Sequence, residues 1–405
     1  MRRAAALLAG FGLLLFARAP LPAASLVLPG SVISVNMAGT ARPLQIEQHE
    51  KGLFEGYPLP TMRYAVDSYR IRYASTDFDG SPAEVTAQLF VPRMPVPTER
   101  PLLVFGPGTT GIGDACAPSL EDAEKRHFGA YRENMLVYAG LGFIAVLPDY
   151  IGFDDPTRPQ RYFSKVAEGH VMLDAARAVF LYLQSSSHVV RPQRAVFVAG
   201  YSQGGHAAFA AADIRGTYAP DVPLAGVIGF GSTNNVEALL REGPAYAPLI
   251  FYTYSRMYGA AINPAEYLVE RFARTLDSDV NSMCVDQFQA YYSFDGTRVY
   301  RPEFHSALYG NRLAEFYPSL AARLEENMSG LGGHMLPALL LQGATDFIVT
   351  SASQGRFVDA LRTAGSAVRY RVFHGVPHKG VRQAGFAESI EWMERIARGE
   401  APPTS

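Results

Sequence analysis

The sequence predicts an α/β protein with a mostly parallel sheet opened by antiparallel strands, helices on both faces and an inserted cap subdomain. Three observations predict it. Apolar runs at 102–105, 143–147, 195–199, 224–230 and 338–341 show no alternation, as expected of strands covered on both sides. Helical patterns lie between them, clearest at Val171, Met172, Ala175, Ala176, Val179, Phe180 and Leu183, whose i, i+3, i+4 spacing suits a helix packed on a sheet. The rhythm breaks over 232–335, a stretch rich in Tyr, Phe, Arg and Glu between two sheet-type runs.

Taken in order, the chain opens with Arg2-Arg3, an apolar run over 4–17 and small residues around Ala23-Ala24, the pattern of a secretory signal peptide over 1–24. That run is too short to span a bilayer comfortably, so the product is expected to be exported, to a periplasm or outside the cell. Residues 25–231 are expected to form the first part of the core, 232–335 the cap, 336–400 the second part of the core and 401–405 a loose tail. Early in the core, 69–75 and 84–91 flank turn residues at 77–82, with Val85, Ala87, Leu89 and Val91 alternating against Glu84, Thr86 and Gln88. That is an antiparallel hairpin with one face buried.

Later elements follow the same logic. Ser351 with Gln354 resembles a capping box opening a helix that holds Phe357, Val358 and Leu361 and ends at Gly365. The run 368–373 alternates more than the others and is expected nearer a sheet edge. Within the cap, Tyr252, Tyr254, Tyr258, Tyr267 and Phe272 suit either an acyl-binding tunnel or the cap's own core, the commoner use of aromatic residues at such spacings.

A formal net charge of -2, from 36 basic and 38 acidic residues with no basic run, argues against nucleic acid and gives no reason for binding an acidic membrane. The expected partner is a small molecule. Cys116 and Cys284 are the only cysteines, and in an oxidising compartment an isolated pair is most simply a disulfide. Nothing clusters with either to suggest a metal site.

The most informative stretch is Gly200-Tyr201-Ser202-Gln203-Gly204, directly after an apolar strand and before an Ala-rich helix over 203–214. This is a serine on a strained strand-to-helix turn, a nucleophile elbow, where the residues two before and two after must be small for the helix to pack close. A serine hydroxyl attacks a carbonyl poorly unless a base takes its proton, so an imidazole and an orienting carboxylate are needed. In this arrangement they follow the serine in the order acid, then His. Asp346 stands in the loop after the 338–341 strand, and His378 in a Gly- and Pro-bearing loop after the last strand. His374 abuts that strand and would be held by its ladder; His206 suits a packed helix residue, and His334 precedes a strand.

An oxyanion also needs donors. One is the backbone N–H of Gln203; the other is expected in Gly106-Pro107-Gly108-Thr109-Thr110-Gly111, at Thr109, with Gly108 as its alternative. A phosphate-binding loop is the competing reading of those glycines, but no Gly-Lys-Ser/Thr ending is present.

With these residues in hand, the chain resembles the α/β-hydrolase superfamily, and within it the secretory lipase (lipase-A-like) family and its bacterial esterase relatives. The resemblance covers roughly 69–396 and rests on Arg72-Tyr73-Ala74-Ser75-Thr76-Asp77, Pro148-Asp149-Tyr150, Gly200-Tyr201-Ser202 and the long insertion between Ser202 and Asp346. It implies a secreted hydrolase of carboxylic esters, often acylglycerols, with a triad on Ser202, Asp346 and His378, no cofactor or metal, and a Cys116–Cys284 bridge tying cap to core. A transient contact with a lipid interface is part of that expectation. Two departures stand out: Gln203 where the lipases commonly carry glycine, and Pro107-Gly108 where related esterases often show His-Gly. The rival readings are peptide hydrolysis or acyl transfer by the same constellation, and a catalytically silent protein that binds a ligand.

Overall fold

The structure is a computed structural model that describes residues 27–121, 128–155 and 157–403. The signal-peptide assignment at 1–24 and the end of the tail, 404–405, lie outside the described residues.

The strands are β1 (Val32–Ala41), β2 (Val66–Thr76), β3 (Pro82–Pro92), β4 (Thr98–Gly106), β5 (Ile144–Pro148), β6 (Ile151–Asp154), β7 (Val190–Tyr201), β8 (Leu224–Phe230), β9 (Ala338–Gly343) and β10 (Val368–Phe373). Nine of them form one sheet in the order β1-β2-β3-β5-β4-β7-β8-β9-β10. The pairs β1–β2, β2–β3 and β3–β5 are antiparallel, and every pair from β5–β4 to β9–β10 is parallel. This is the mostly parallel sheet with antiparallel opening strands that the sequence predicts.

The unbroken apolar runs follow from parity. Because side chains alternate across a strand, Leu102, Val104, Val196 and Val198 join one core while Leu103, Phe105, Phe197 and Ala199 join another on the opposite face. The first core is closed by helices α3 (Lys165–Ser185) and α4 (Gln203–Tyr218), the second by α2 (Tyr131–Gly140) and the C-terminal α15 (Phe386–Ala397), with α1 (Pro43–Glu50) behind it. Each Val, Leu or Phe so buried contributes about 1.5–3 kcal/mol relative to exposure. Ser164 opens α3 by accepting from the Ala167 N–H.

Between β8 and β9 the chain builds α5 (Val236–Glu242), α6 (Ala247–Tyr258), α7 (Glu270–Ser282), α8 (Val285–Tyr291), α9 (Gly296–Val299), α10 (Pro302–Tyr309), α11 (Leu313–Phe316) and α12 (Pro318–Glu326). These helices share a third apolar cluster, in which Tyr252, Tyr254, Tyr267 and Phe272 are buried and Tyr258 packs alongside. After β9 come α13 (Ser351–Thr363) and the short α14 (Val381–Ala384). Among the described residues no helix is long and apolar enough to cross a membrane.

Two local expectations are corrected. The β2–β3 hairpin forms with Tyr69 opposite Leu89, but β3 is buried on both faces from Val85 onward. The strand lies inside the sheet, and Gln88 is covered by the short turn at Pro118, whose carbonyl accepts from its amide. The α13 cap is Thr350, one residue before Ser351; its hydroxyl accepts from the Ser353 N–H at 3.2 Å. Gln354 is instead buried.

Candidate active site

β7 runs straight into Ser202, which sits at φ 54° and ψ −114°. A non-glycine residue there is strained, and the surroundings must hold it. They do: the Ser202 N–H donates to the Phe230 carbonyl at 3.0 Å, and the Ser202 carbonyl accepts from Gly205, His206 and Thr233 at 3.0, 3.3 and 3.2 Å. The flanking glycines are required by contact. A Cβ at Gly200 would lie 2.0 Å from the Gly204 carbonyl oxygen, and one at Gly204 would lie 1.8 Å from that of Gly106. Only bare backbone lets α4 close onto β4 and β7.

The parallel pair β9–β10 places Asp346 and His378 in the loops beyond its C-terminal ends. Asp346 Oδ1 accepts from the N–H groups of Ile348 and Val349, both at 2.9 Å, which fixes the carboxylate in its own loop. Its Oδ2 lies 2.6 Å from His378 Nδ1, with the Gln342 amide donating to it at 3.3 Å. An ionised carboxylate only accepts, so Nδ1 carries the hydrogen of this contact and Nε2 is the basic nitrogen. Gly231 lies close to both, where a Cβ would approach His378 Nδ1 to 3.1 Å and Asp346 Oδ2 to 3.3 Å. His374 is exposed on the strand end, and His334 lies in a loop beside Phe209.

Ser202, His378 and Thr109 line one cavity of roughly 510 Å3. Its walls carry Phe128, Tyr131, Tyr201, Tyr246, Val285 and Ile348. The expected aromatic set of the inserted helices faces elsewhere: none of Tyr252, Tyr254, Tyr258, Tyr267 and Phe272 lines this cavity. Gln203, first residue of α4, has a backbone N–H with no acceptor a turn earlier in the helix. In the loop after β4, Gly108 is packed under Tyr131, whose hydroxyl a Cβ at that position would approach to 2.6 Å. Thr109 Oγ1 shares a 2.7 Å hydrogen bond with the Tyr162 hydroxyl. Cys116 and Cys284 are bonded, joining this loop region to the start of α8. Among the described residues no cluster of His, Cys, Asp or Glu is arranged to hold a metal ion.

Several residues around the site escape sequence reasoning. Glu121 accepts from the N–H groups of Phe128, Gly129, Ala130, Tyr131 and Arg132, so one carboxylate shapes the cavity wall at the start of α2. Arg382 stacks over Tyr131 and Tyr201, its guanidinium carbon 4.7 and 5.2 Å from the ring centres, and donates to the Gly129 carbonyl. The Arg382 contacts join distant segments and leave no local pattern. Glu168 is different: it falls on the apolar stripe of α3, three residues before Val171, and a charge there is a readable sign of a buried partner.

The profile of the secretory lipase family matches residues 129–394. A probable trichothecene esterase of Stachybotrys chartarum is 24% identical over 350 residues, covering 81% of this chain and 68% of that protein. Among solved structures, the ligand-bound rice cell wall degrading esterase LipA from Xanthomonas oryzae superposes with a TM-score of 0.71 at 19% identity, over 92% of this chain and 97% of that one. Candida antarctica lipase A in its closed state gives 0.69 at 17% identity, over 93% and 84%. At these identities the structural likenesses show the fold.

Proposed function

Since the chain belongs to the secretory lipase family and is a carboxylic ester hydrolase, we propose that it works through Ser202, His378 and Asp346 and an acyl-enzyme. The observation that carries this reading is the 2.6 Å contact between His378 Nδ1 and Asp346 Oδ2, made by a histidine that opens on the same cavity as the strained Ser202. His378 Nε2 takes the Ser202 proton as Oγ attacks the ester carbonyl, and Asp346 holds the ring and supports the imidazolium. His378 then gives the proton to the leaving alcohol, and water, activated by the same nitrogen, releases the acid.

The oxyanion formed in each half is held by the backbone N–H groups of Gln203 and Thr109. Thr109 is preferred to Gly108 because Thr109 lines the cavity with Ser202 and His378 and Gly108 does not. The helices α5–α12, within 232–335, act as the cap, and the Cys116–Cys284 bond anchors it beside the oxyanion loop. Export is supported by the pattern of residues 1–24, by the family and by the disulfide. The mainly aromatic and aliphatic cavity suits an ester of modest size.

The test is hydrolysis of p-nitrophenyl esters of increasing acyl length by the wild type and Ser202→Ala. Turnover is expected to vanish in the variant with Tm unchanged. Wild-type turnover in Ser202→Ala would move the nucleophile elsewhere.

A further inference from the structure

Behind the elbow lies a second carboxylate–imidazole contact that the proposed reaction does not use. Glu168, on α3, lies 2.5 Å through Oε2 from His206 Nδ1, and His206 Nε2 lies 2.7 Å from the Asn327 carbonyl oxygen. Glu168 and His206 are buried at 1% and 0% exposure. A carbonyl only accepts, so Nε2 donates, and one further proton must lie between Nδ1 and the carboxylate. Whichever atom holds that proton, the pair is neutral as a unit, the condition under which such groups survive in a dry interior.

The other oxygen of Glu168 points the pair at the reaction. Oε1 accepts from the side-chain amide of Gln203 at 2.7 Å and from the Phe163 N–H at 3.0 Å. Phe163 is in the left-handed region, at φ 54°, and needs such a hold. Its neighbour Tyr162 carries the hydroxyl that meets Thr109 Oγ1. One buried carboxylate therefore restrains both residues assigned to the oxyanion hole, Gln203 directly and Thr109 through Phe163 and Tyr162. On the far side, Asn327 follows α12, and its side chain accepts from the Lys165 N–H and donates to the Tyr258 hydroxyl, so the inserted helices seat on the same pair.

We propose that Glu168, paired with His206, is a positioning residue for the oxyanion hole, acting through the Gln203 side chain and the Phe163–Tyr162–Thr109 path without touching substrate. This rests on the reading of Gln203 and Thr109 as the oxyanion donors. Glu168→Gln can keep every contact: its amide oxygen accepts from Gln203 and Phe163, and its amide N–H donates to a neutral His206. Glu168→Ala removes the shared partner of Gln203, Phe163 and His206 Nδ1 at once.

The experiment compares wild type, Glu168→Ala, Glu168→Gln and Gln203→Ala by p-nitrophenyl ester kinetics and by 19F NMR titration of the hemiketal formed with an aryl trifluoromethyl ketone. Glu168→Ala is expected to lower kcat about 10- to 100-fold, the effect of a misplaced rather than missing donor, with KM nearly unchanged. Its hemiketal oxyanion should take up a proton at higher pH than in the wild type, and Glu168→Gln should restore both readouts. Gln203→Ala, which cuts the link but keeps the pair, should repeat the kcat loss even if Glu168→Ala does not accumulate as folded protein. The proposal is overturned if kcat in Gln203→Ala equals that of the wild type, if Glu168→Gln is as damaged as Glu168→Ala, or if the hemiketal titration does not move. A wild-type hemiketal that titrates like the free compound would instead overturn the oxyanion reading beneath it.

Discussion

Gly204→Ala tests the elbow where the geometry is least forgiving. The added Cβ would lie 1.8 Å from the Gly106 carbonyl oxygen, 2.3 Å from its carbon and 2.8 Å from the Pro107 carbonyl oxygen. These are backbone atoms that no rotamer can move aside. Restoring ordinary contact requires α4 and the end of β4 to part by about 1.7 Å, since non-bonded heavy atoms sit comfortably at about 3.5 Å. Overpacking of this kind costs about 1–3 kcal/mol. The moving parts are the turn that carries Ser202 and the loop that carries Thr109, and a displacement of about 1 Å in a catalytic constellation lowers kcat about 100-fold. Gly216→Ala in the same helix is the control: its Cβ meets nothing within 4 Å. It should leave kcat unchanged and stabilise by up to about 1 kcal/mol, the helical preference for alanine. Ester kinetics and thermal melts of the two variants separate the effects. Wild-type kcat and Tm in Gly204→Ala would refute the argument that bare backbone is required there.

Two further predictions concern groups away from Ser202. Replacing Cys116 and Cys284 together by alanine opens a loop of sequence separation 168 and should lower stability by up to about 5 kcal/mol in the chain-entropy account, read as a fall in Tm that reductant reproduces in the wild type; an unchanged Tm would contradict it. Glu50 is wholly buried, its carboxyl oxygens have no hydrogen-bond partner among the described residues, and burial first, then Glu133, raises its pKa from 4.5 to about 8. The folded chain thus keeps a proton that the unfolded chain releases near pH 4.5, so stability falls as pH rises from about 4.5 to about 8 and levels off above. The full span corresponds to at most about 5 kcal/mol. Glu50→Gln should flatten that slope in melts across this range, and an undiminished slope would assign it to other groups.

How much the sequence reveals depends on whether a signal is local. The central strands are legible because both faces are buried and the apolar runs are continuous, and the elbow is legible because its glycines are fixed by contacts within a few residues. The meeting of Asp346 with His378 is legible from their places after the last two strands, which a parallel pair brings to one edge. β1 is hard to see: it is an edge strand whose Ile33 and Met37 are exposed, so no buried stripe marks it. Gln88 misleads because a polar residue inside a sheet is covered by a turn that only tertiary structure supplies. The cavity wall is equally hidden, since Arg382 meets Tyr131 and Tyr201 through long-range contacts, and the inserted helices contribute Tyr246 and Val285 rather than the aromatic run that the sequence offers.

Covalent labelling tests the central claim most directly. Incubation with a fluorophosphonate probe, proteolysis and mass spectrometry should find one adduct, on Ser202, formed far more slowly when His378 is replaced by alanine. An adduct on another residue, or none on a folded protein that hydrolyses esters, would contradict it.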